Sequence, residues 1–334
     1  MKSSRICILG AGSWGTTLAI MLGRRGQNVA LWEFRPDAAR RVQEERINRE
    51  FLPGHPLPDS VAVTGDIAAA LDGATLALLT LPSHTLRSVA GRLPRMPDCV
   101  LASSTKGIEE NTLMRMSEVL ADVWKSGYDP SRFVCLSGPS HAEEVVIGMP
   151  TTVVAASCDI KAAEFVQGIM SGERFRVYTH DDLTGVELGG SLKNVIAIAA
   201  GIAAGLKFGD NAMGALVTRG LAEIARLGTA LGGRPATFAG LSGMGDLVTT
   251  CFSRHSRNRH VGEEIGKGRK LPEILGEMVM VAEGVRTTNS AYELAKREGI
   301  EMPITRQVHR ILFEGADPLN STVELMTRRL KGED

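Results

Sequence analysis

The sequence has no excess of charge of either sign: Lys and Arg together number 38, and so do Asp and Glu. A balanced chain has no overall basic field to attract nucleic acid or anionic lipid, so any recognition of an anion must be local. Cysteine is sparse. The five (Cys7, Cys99, Cys135, Cys158 and Cys251) are odd in number, widely spaced and free of any CxxC pair. That pattern argues against zinc, so no metal site is expected, and against a disulfide framework; it favours free thiols in a reducing compartment. Long apolar runs are also missing. The longest, Val195 to Leu206, is studded with Gly and Ala and too short to span a bilayer. Lys2 and Arg5 precede only a short apolar run that ends in glycines, so no signal peptide is legible. No fixed-period repeat or low-complexity segment appears. The expectation is a cytoplasmic protein with no membrane insertion and no nucleic-acid partner.

What is present suggests two domains, since 334 residues can build two separate cores. Arg5-Ile6-Cys7-Ile8-Leu9 is β-prone and runs into Gly10-Ala11-Gly12-Ser13-Trp14-Gly15, followed by helical spacing from Thr16 to Arg25. In that context Gly10 permits a tight turn, Gly12 lets a pyrophosphate approach the backbone, and Gly15 lets helix and strand pack closely. The simpler alternative is an ordinary glycine-rich turn. A second strand, Asn28–Trp32, ends at Glu33-Phe34-Arg35. An acid there binds ribose hydroxyls and favours NAD, whereas an arginine pairs with the 2′-phosphate of NADP. Both are present, so the choice stays open; Phe34 is either a stacking partner for adenine or core.

Further β-prone runs at Val61–Thr64, Leu76–Thr80, Val100–Ser103 and Phe133–Ser137 alternate with helical stretches such as Leu113–Val123. This predicts an α/β fold, a doubly wound, Rossmann-type parallel sheet, extended by Thr151–Ala156 and Phe175–Thr179. Ligands collect at the carboxyl ends of such strands. Three of those ends carry polar residues: Leu81–His84, Ser104-Thr105-Lys106-Gly107 and Ser137-Gly138-Pro139-Ser140. After about residue 182 the strands stop. Val186–Leu206, Asn211–Leu231, Arg286–Glu298 and Pro303–Phe313 read as helices. The domains are therefore expected at 1–182, binding a dinucleotide, and 183–334, all-α and binding substrate.

Within Gly189-Gly190-Ser191-Leu192-Lys193-Asn194-Val195-Ile196-Ala197, two polar residues sit in an otherwise apolar helix. An ammonium there loses hydration, and desolvation favours its neutral form, giving a group able to trade a proton with a carbonyl. The plainer reading is a lysine whose stem lies on apolar surface while its head reaches water. The lysine is expected to face the cleft between the domains. Further on, Ser253-Arg254-His255-Ser256-Arg257-Asn258-Arg259-His260 concentrates cations suited to gripping phosphate. A solvated basic helix face would read the same way, but no aromatic platform accompanies it for nucleic acid. Asp246 either orients the lysine or caps a helix.

Together these residues resemble the NAD(P)-dependent glycerol-3-phosphate dehydrogenase family of bacterial type. The resemblance rests on the lysine stretch at 189–197, GAGSWG at 10–15, STKG at 104–107, SGPS at 137–140, GDLVTT at 245–250, SRNR at 256–259 and VAEGV at 281–285. It implies reversible hydride transfer between dihydroxyacetone phosphate and sn-glycerol 3-phosphate, feeding phospholipid synthesis, in a homodimer. It makes Lys193 the proton donor and acceptor, with Asn194 and Asp246 beside it. Lys106 would touch both cofactor and substrate; Arg257 and Asn258 would hold the phosphate near Ser256 and Thr250, and Gly138 and Ser140 would line the same cleft. The cofactor set adds Ser13, Trp14, Phe34, Arg35, Ala142, Arg257, Val281 and Glu283 to the glycines 10, 12 and 15. Ser191 replaces the usual Ala or Thr, and Glu33-Phe34-Arg35 departs from the His-containing segment of many members. A related two-domain 3-hydroxyacid or sugar-acid dehydrogenase would instead need a carboxylate clamp. A cofactor-sensing protein without turnover would tolerate loss of Lys193.

Overall fold

The computed structural model describes residues 5–330 and 332–333. The chain forms two compact units, Met1–Lys106 with Met114–Glu187, and Gly107–Leu113 with Leu188–Asp334. The division expected after residue 182 falls just before the helix Leu183–Gly205, whose opening residues belong to the first unit.

The first unit is built on one eight-stranded sheet. Its strands are β1 (Arg5–Leu9), β2 (Asn28–Trp32), β3 (Val61–Thr64), β4 (Leu76–Leu79), β5 (Val100–Ser103), β6 (Phe133–Ser137), β7 (Thr151–Ala156) and β8 (Phe175–His180), in the order β3-β2-β1-β4-β5-β6-β7-β8. Alternate residues feed two cores. Ile6, Ile8, Val29 and Leu31 pack on one face, and Cys7, Leu9, Ala30 and Trp32 on the other. That is why these strands read as unbroken apolar runs rather than as alternating ones. The order reverses between β1 and β4, which opens a crevice at the carboxyl end of β1, where the first glycine turn lies.

The expected Rossmann-type sheet is parallel-dominated, with one antiparallel pairing near its end. β7 runs antiparallel to β6, and β8 runs parallel to β7. After β6 the chain makes only the short helix Ala142–Val146 before re-entering the sheet from the same end. A parallel return needs a longer crossover, such as the helix Ile160–Met170 that links β7 to β8.

The second unit is helical. The predicted helices appear as Asp210–Ala230, Glu283–Arg297 and Pro303–Phe313, shifted by a few residues or not at all. The motif-bearing segments, read as chemistry rather than as elements, also prove helical: Asp246–Phe252 and Arg257–Gly266. The helix Leu183–Gly205 is longer than its most apolar run, because Glu187, Lys193 and Asn194 continue it without a break. By length and composition alone it could cross a membrane, yet 89% of its most apolar window is buried inside the protein. Its glycines weaken it as an isolated helix, at about 1 kcal/mol each, and tertiary packing repays that. A β-carbon at Gly201 would stand 2.0 Å from the Arg259 carbonyl, and one at Gly262 would stand 2.0 Å from the Ile198 carbonyl. Two helices with facing glycines thus cross at backbone distance, which sets the start of Arg257–Gly266 beside Asn194.

Candidate active site

In the first unit the chain leaves β1 through Gly10, whose φ of +119° suits glycine and whose β-carbon would meet the Thr80 carbonyl at 2.9 Å. A β-carbon on Gly15 would fall 1.9 Å from the Gly10 carbonyl, so the helix Ser13–Arg24 packs directly on the turn. Above Gly12 the space is open, with nothing within 4 Å. No side chain caps the helix start and no acid lies in its first turn, leaving backbone N–H groups and the positive end of the dipole for an anion. The turn is braced from below. Thr80 Oγ1 donates to the Gly10 carbonyl at 2.8 Å, and Asn48 Nδ2 donates to the Ala11 carbonyl at 2.7 Å and to Thr16 Oγ1 at 2.9 Å. This open, uncapped cradle fits the pyrophosphate of a dinucleotide. Neither Thr80 nor Asn48 was legible as part of it, because their roles come from tertiary contact and not from spacing.

At the end of β2, Glu33 is buried and Phe34 is 57% exposed, with the Arg92 guanidinium 4.7 Å from the Phe34 ring centroid. Phe34 is therefore not core. Arg35 is held by two carboxylates, Glu33 at 2.9 Å and Glu50 at 2.9 Å. Beyond β5, Lys106 Nζ donates to the Gly138 carbonyl at 3.2 Å, and Ser140 Oγ donates to that same carbonyl at 3.0 Å. Gly138 has φ +129° against Val153, so SGPS turns where a side chain would not fit. Ala142 begins the helix after it.

In the second unit, Lys193 is 6% exposed and Asp246 is 2% exposed. Lys193 Nζ donates to Asp246 Oδ1 at 2.5 Å and to Thr250 Oγ1 at 2.7 Å. The alternative of a lysine snorkelling to water is thereby excluded. Desolvation does not act alone, however, because Asp246 supplies the counter-charge that favours the ammonium. The local fold explains the meeting. The wide π-helical turn Leu241–Gly245 leads into Asp246–Phe252, and Asp246 and Thr250, four residues apart, share the face toward the lysine. Burial pushes the neighbouring Cys251 thiol up to about 12, so it is no nucleophile.

Asn258 Nδ2 donates to Asn194 Oδ1 at 2.9 Å, and the Gly284 N–H donates to Asn258 Oδ1 at 2.8 Å. The lysine helix, the SRNR segment and the start of Glu283–Arg297 are thus tied by one buried amide. Ser256 accepts from the Arg259 N–H as a helix N-cap, while Arg257, in the first turn, is exposed. Val281 is partly exposed just ahead of Glu283.

Sequence models of the NAD-dependent glycerol-3-phosphate dehydrogenase N-terminus and C-terminus match residues 5–163 and 182–322. The chain belongs to this family. It is an oxidoreductase, and its similarity to curated members runs end to end. A glycerol-3-phosphate dehydrogenase [NAD(P)+] of Pelotomaculum thermopropionicum is 51% identical over 98% of this chain and 94% of its own. One from Chlorobium luteolum is 50% identical over 98% and 99%. The crystal structure of glycerol-3-phosphate dehydrogenase from Coxiella burnetii superposes with a TM-score of 0.92 at 41% identity, covering 98% of this chain and 99% of that one. A related 3-hydroxyacid or sugar-acid enzyme is not what these relatives favour.

Proposed function

We propose that this chain catalyses the reversible, NAD(P)H-dependent reduction of dihydroxyacetone phosphate to sn-glycerol 3-phosphate, as a cytoplasmic homodimer serving glycerophospholipid synthesis. The observation that carries the reading is the buried Lys193–Asp246–Thr250 cluster, a proton donor held ready where water is excluded.

The glycine turn, with Gly10, Gly12, Ser13, Trp14 and Gly15, is read as the pyrophosphate site, and Phe34, Arg35, Ala142, Arg257, Val281 and Glu283 as further cofactor contacts. A bound reduced nicotinamide supplies the hydride. The protein's own task is to hold the ketone and manage the proton. Lys193 hydrogen-bonds the C2 oxygen, stabilises the growing negative charge and passes it a proton; in the reverse direction it takes the proton back. Asp246 and Thr250 fix Nζ, and Asn194 lies beside it in sequence. Arg257, with Ser256 and Asn258, is read as the phosphate grip at the far end of the substrate, so that remote binding energy orients the reacting carbon. Lys106 is read as a contact to both ligands, with Gly138 and Ser140 on the substrate.

The test is a steady-state assay with dihydroxyacetone phosphate and either NADH or NADPH. Oxidation of at least one, and far slower oxidation with unphosphorylated dihydroxyacetone, is expected. Absence of turnover with both cofactors overturns the reading.

A further inference from the structure

The sequence leaves the choice between NAD and NADP open, because an acid and an arginine both follow β2. The structure arranges them unequally. A recess of about 250 Å³ beside the end of β2 is lined by Glu33, Arg35, Arg41, Glu45, Arg49 and Glu50 with the ring of Phe51. Three guanidinium groups face three carboxylates, so the recess as a whole has no net charge to attract a dianion. What decides is the local wiring.

Arg35 is the arginine that follows the ribose-binding position. Its Nε donates to Glu33 Oε1 at 2.9 Å, and its two terminal nitrogens reach both oxygens of Glu50, at 3.1 Å and 2.9 Å. The Phe51 ring centroid lies 5.7 Å from the guanidinium. The Glu50 and Glu33 hydrogen bonds also raise the Arg35 pKa, the Glu50 bond most. Arg49 is itself paired with Glu45 at 2.6 Å. A fork-to-fork pair with a carboxylate is the geometry a phosphate would otherwise take from an arginine. The Glu33–Arg35–Glu50 triad carries one net negative charge. A ribose hydroxyl can donate to such a group, whereas a 2′-phosphate must displace one carboxylate and lie beside two.

We propose that Glu50, by occupying the guanidinium of Arg35 together with Glu33, is a specificity-determining residue that makes this chain prefer NADH over NADPH. The proposal rests on the dinucleotide reading of the glycine turn, and its test reads binding, not turnover. Wild-type protein and Glu50→Gln are titrated by calorimetry with ADP-ribose and with 2′-phospho-ADP-ribose, fragments that lack the nicotinamide. Wild type should bind ADP-ribose at least about tenfold more tightly than the phosphorylated fragment. Glu50→Gln, an exposed substitution, should narrow that gap by about threefold or more through tighter binding of the phosphorylated fragment alone. Glu50→Lys should narrow it further. Equal or tighter wild-type binding of 2′-phospho-ADP-ribose, or a gap that Glu50→Gln leaves unchanged, overturns the proposal. Binding of neither fragment overturns the dinucleotide reading and the proposal together.

Discussion

Neither Lys193 nor Asp246 is stable in its place without the other. Each is almost wholly buried, and their ion pair is completed by Thr250 Oγ1, which itself donates to the Asp246 carbonyl at 2.6 Å. Removing one charge leaves the other unpaired in a dry site, which costs about 3–5 kcal/mol. Lys193→Ala should therefore lower the melting temperature as well as turnover, kcat falling by about 10²- to 10⁴-fold. The double variant Lys193→Met, Asp246→Leu separates the two effects: melting should recover toward wild type while activity stays lost. Recovery of activity with stability would show that the pair is only structural. Arg257 offers the contrasting case, being exposed at a helix start rather than buried. Arg257→Ala should raise the KM for dihydroxyacetone phosphate about tenfold or more, the loss of one charge-assisted contact, with a smaller change in kcat. An unchanged KM would remove the phosphate assignment. In the sequence Lys193 stands out as a polar residue in an apolar helix and Arg257 as part of a cation cluster in a neutral chain, though either pattern also has the plainer reading of a snorkelling or solvated side chain. The amide bridge through Asn258 was not legible, since it depends on three segments meeting.

At the scale of elements, the glycines of the helix Leu183–Gly205 decide how closely its neighbour approaches. Gly201→Ala would push its new methyl against the Arg259 carbonyl and the Glu263 nitrogen, both backbone atoms that cannot rotate away. A destabilisation of about 1–3 kcal/mol is expected, with a raised substrate KM because Ser256, Arg257 and Asn258 lie at the end of the displaced helix. Gly168→Ala, in the helix Ile160–Met170 with open space around it, is the control and should be neutral or slightly stabilising on denaturant melts. Glu223 shows an element held by a distant carboxylate. It accepts the N–H groups of Ile304 and Thr305 at 2.6 and 3.1 Å, capping the helix Pro303–Phe313 from the helix Asp210–Ala230. Burial raises its carboxyl to about 6 from 4.5, against those hydrogen bonds. The folded state then binds more protons than the unfolded one between those values, so stability falls as pH rises through that window, by about 2 kcal/mol from this group. Glu223→Gln should flatten the pH profile of denaturant stability from pH 4.5 to 6. Glu187, also raised by burial, adds a slope of the same sign, so the profile should flatten without becoming level. Helix and strand positions were legible from periodicity, but the direction of β7 and the π-helical turn before Asp246 were not. Both depend on how a connection returns, which no local pattern records.

For the whole molecule, the even count of 38 basic and 38 acidic residues bears on how an anionic substrate arrives. A balanced composition provides no broad basic field, and many cations are spent on neighbours: Arg35 on Glu33 and Glu50, Arg115 on Glu187, Arg259 and Lys267 on Glu263, and Arg269 on Glu264. Long-range steering, which lifts association rates and fades steeply with salt, therefore has little charge to act through. In the proposed function, recognition of the substrate phosphate then falls to contact-range groups, with Arg257 among them, where screening matters less once water is displaced. Raising potassium chloride from low to physiological ionic strength should then lower kcat/KM for dihydroxyacetone phosphate by no more than about threefold. An enzyme steered by its overall field would lose far more over the same range. A steep fall here would mean that charges spread through the sequence converge on the site in space, and the phosphate grip would no longer be a local affair of the helix Arg257–Gly266.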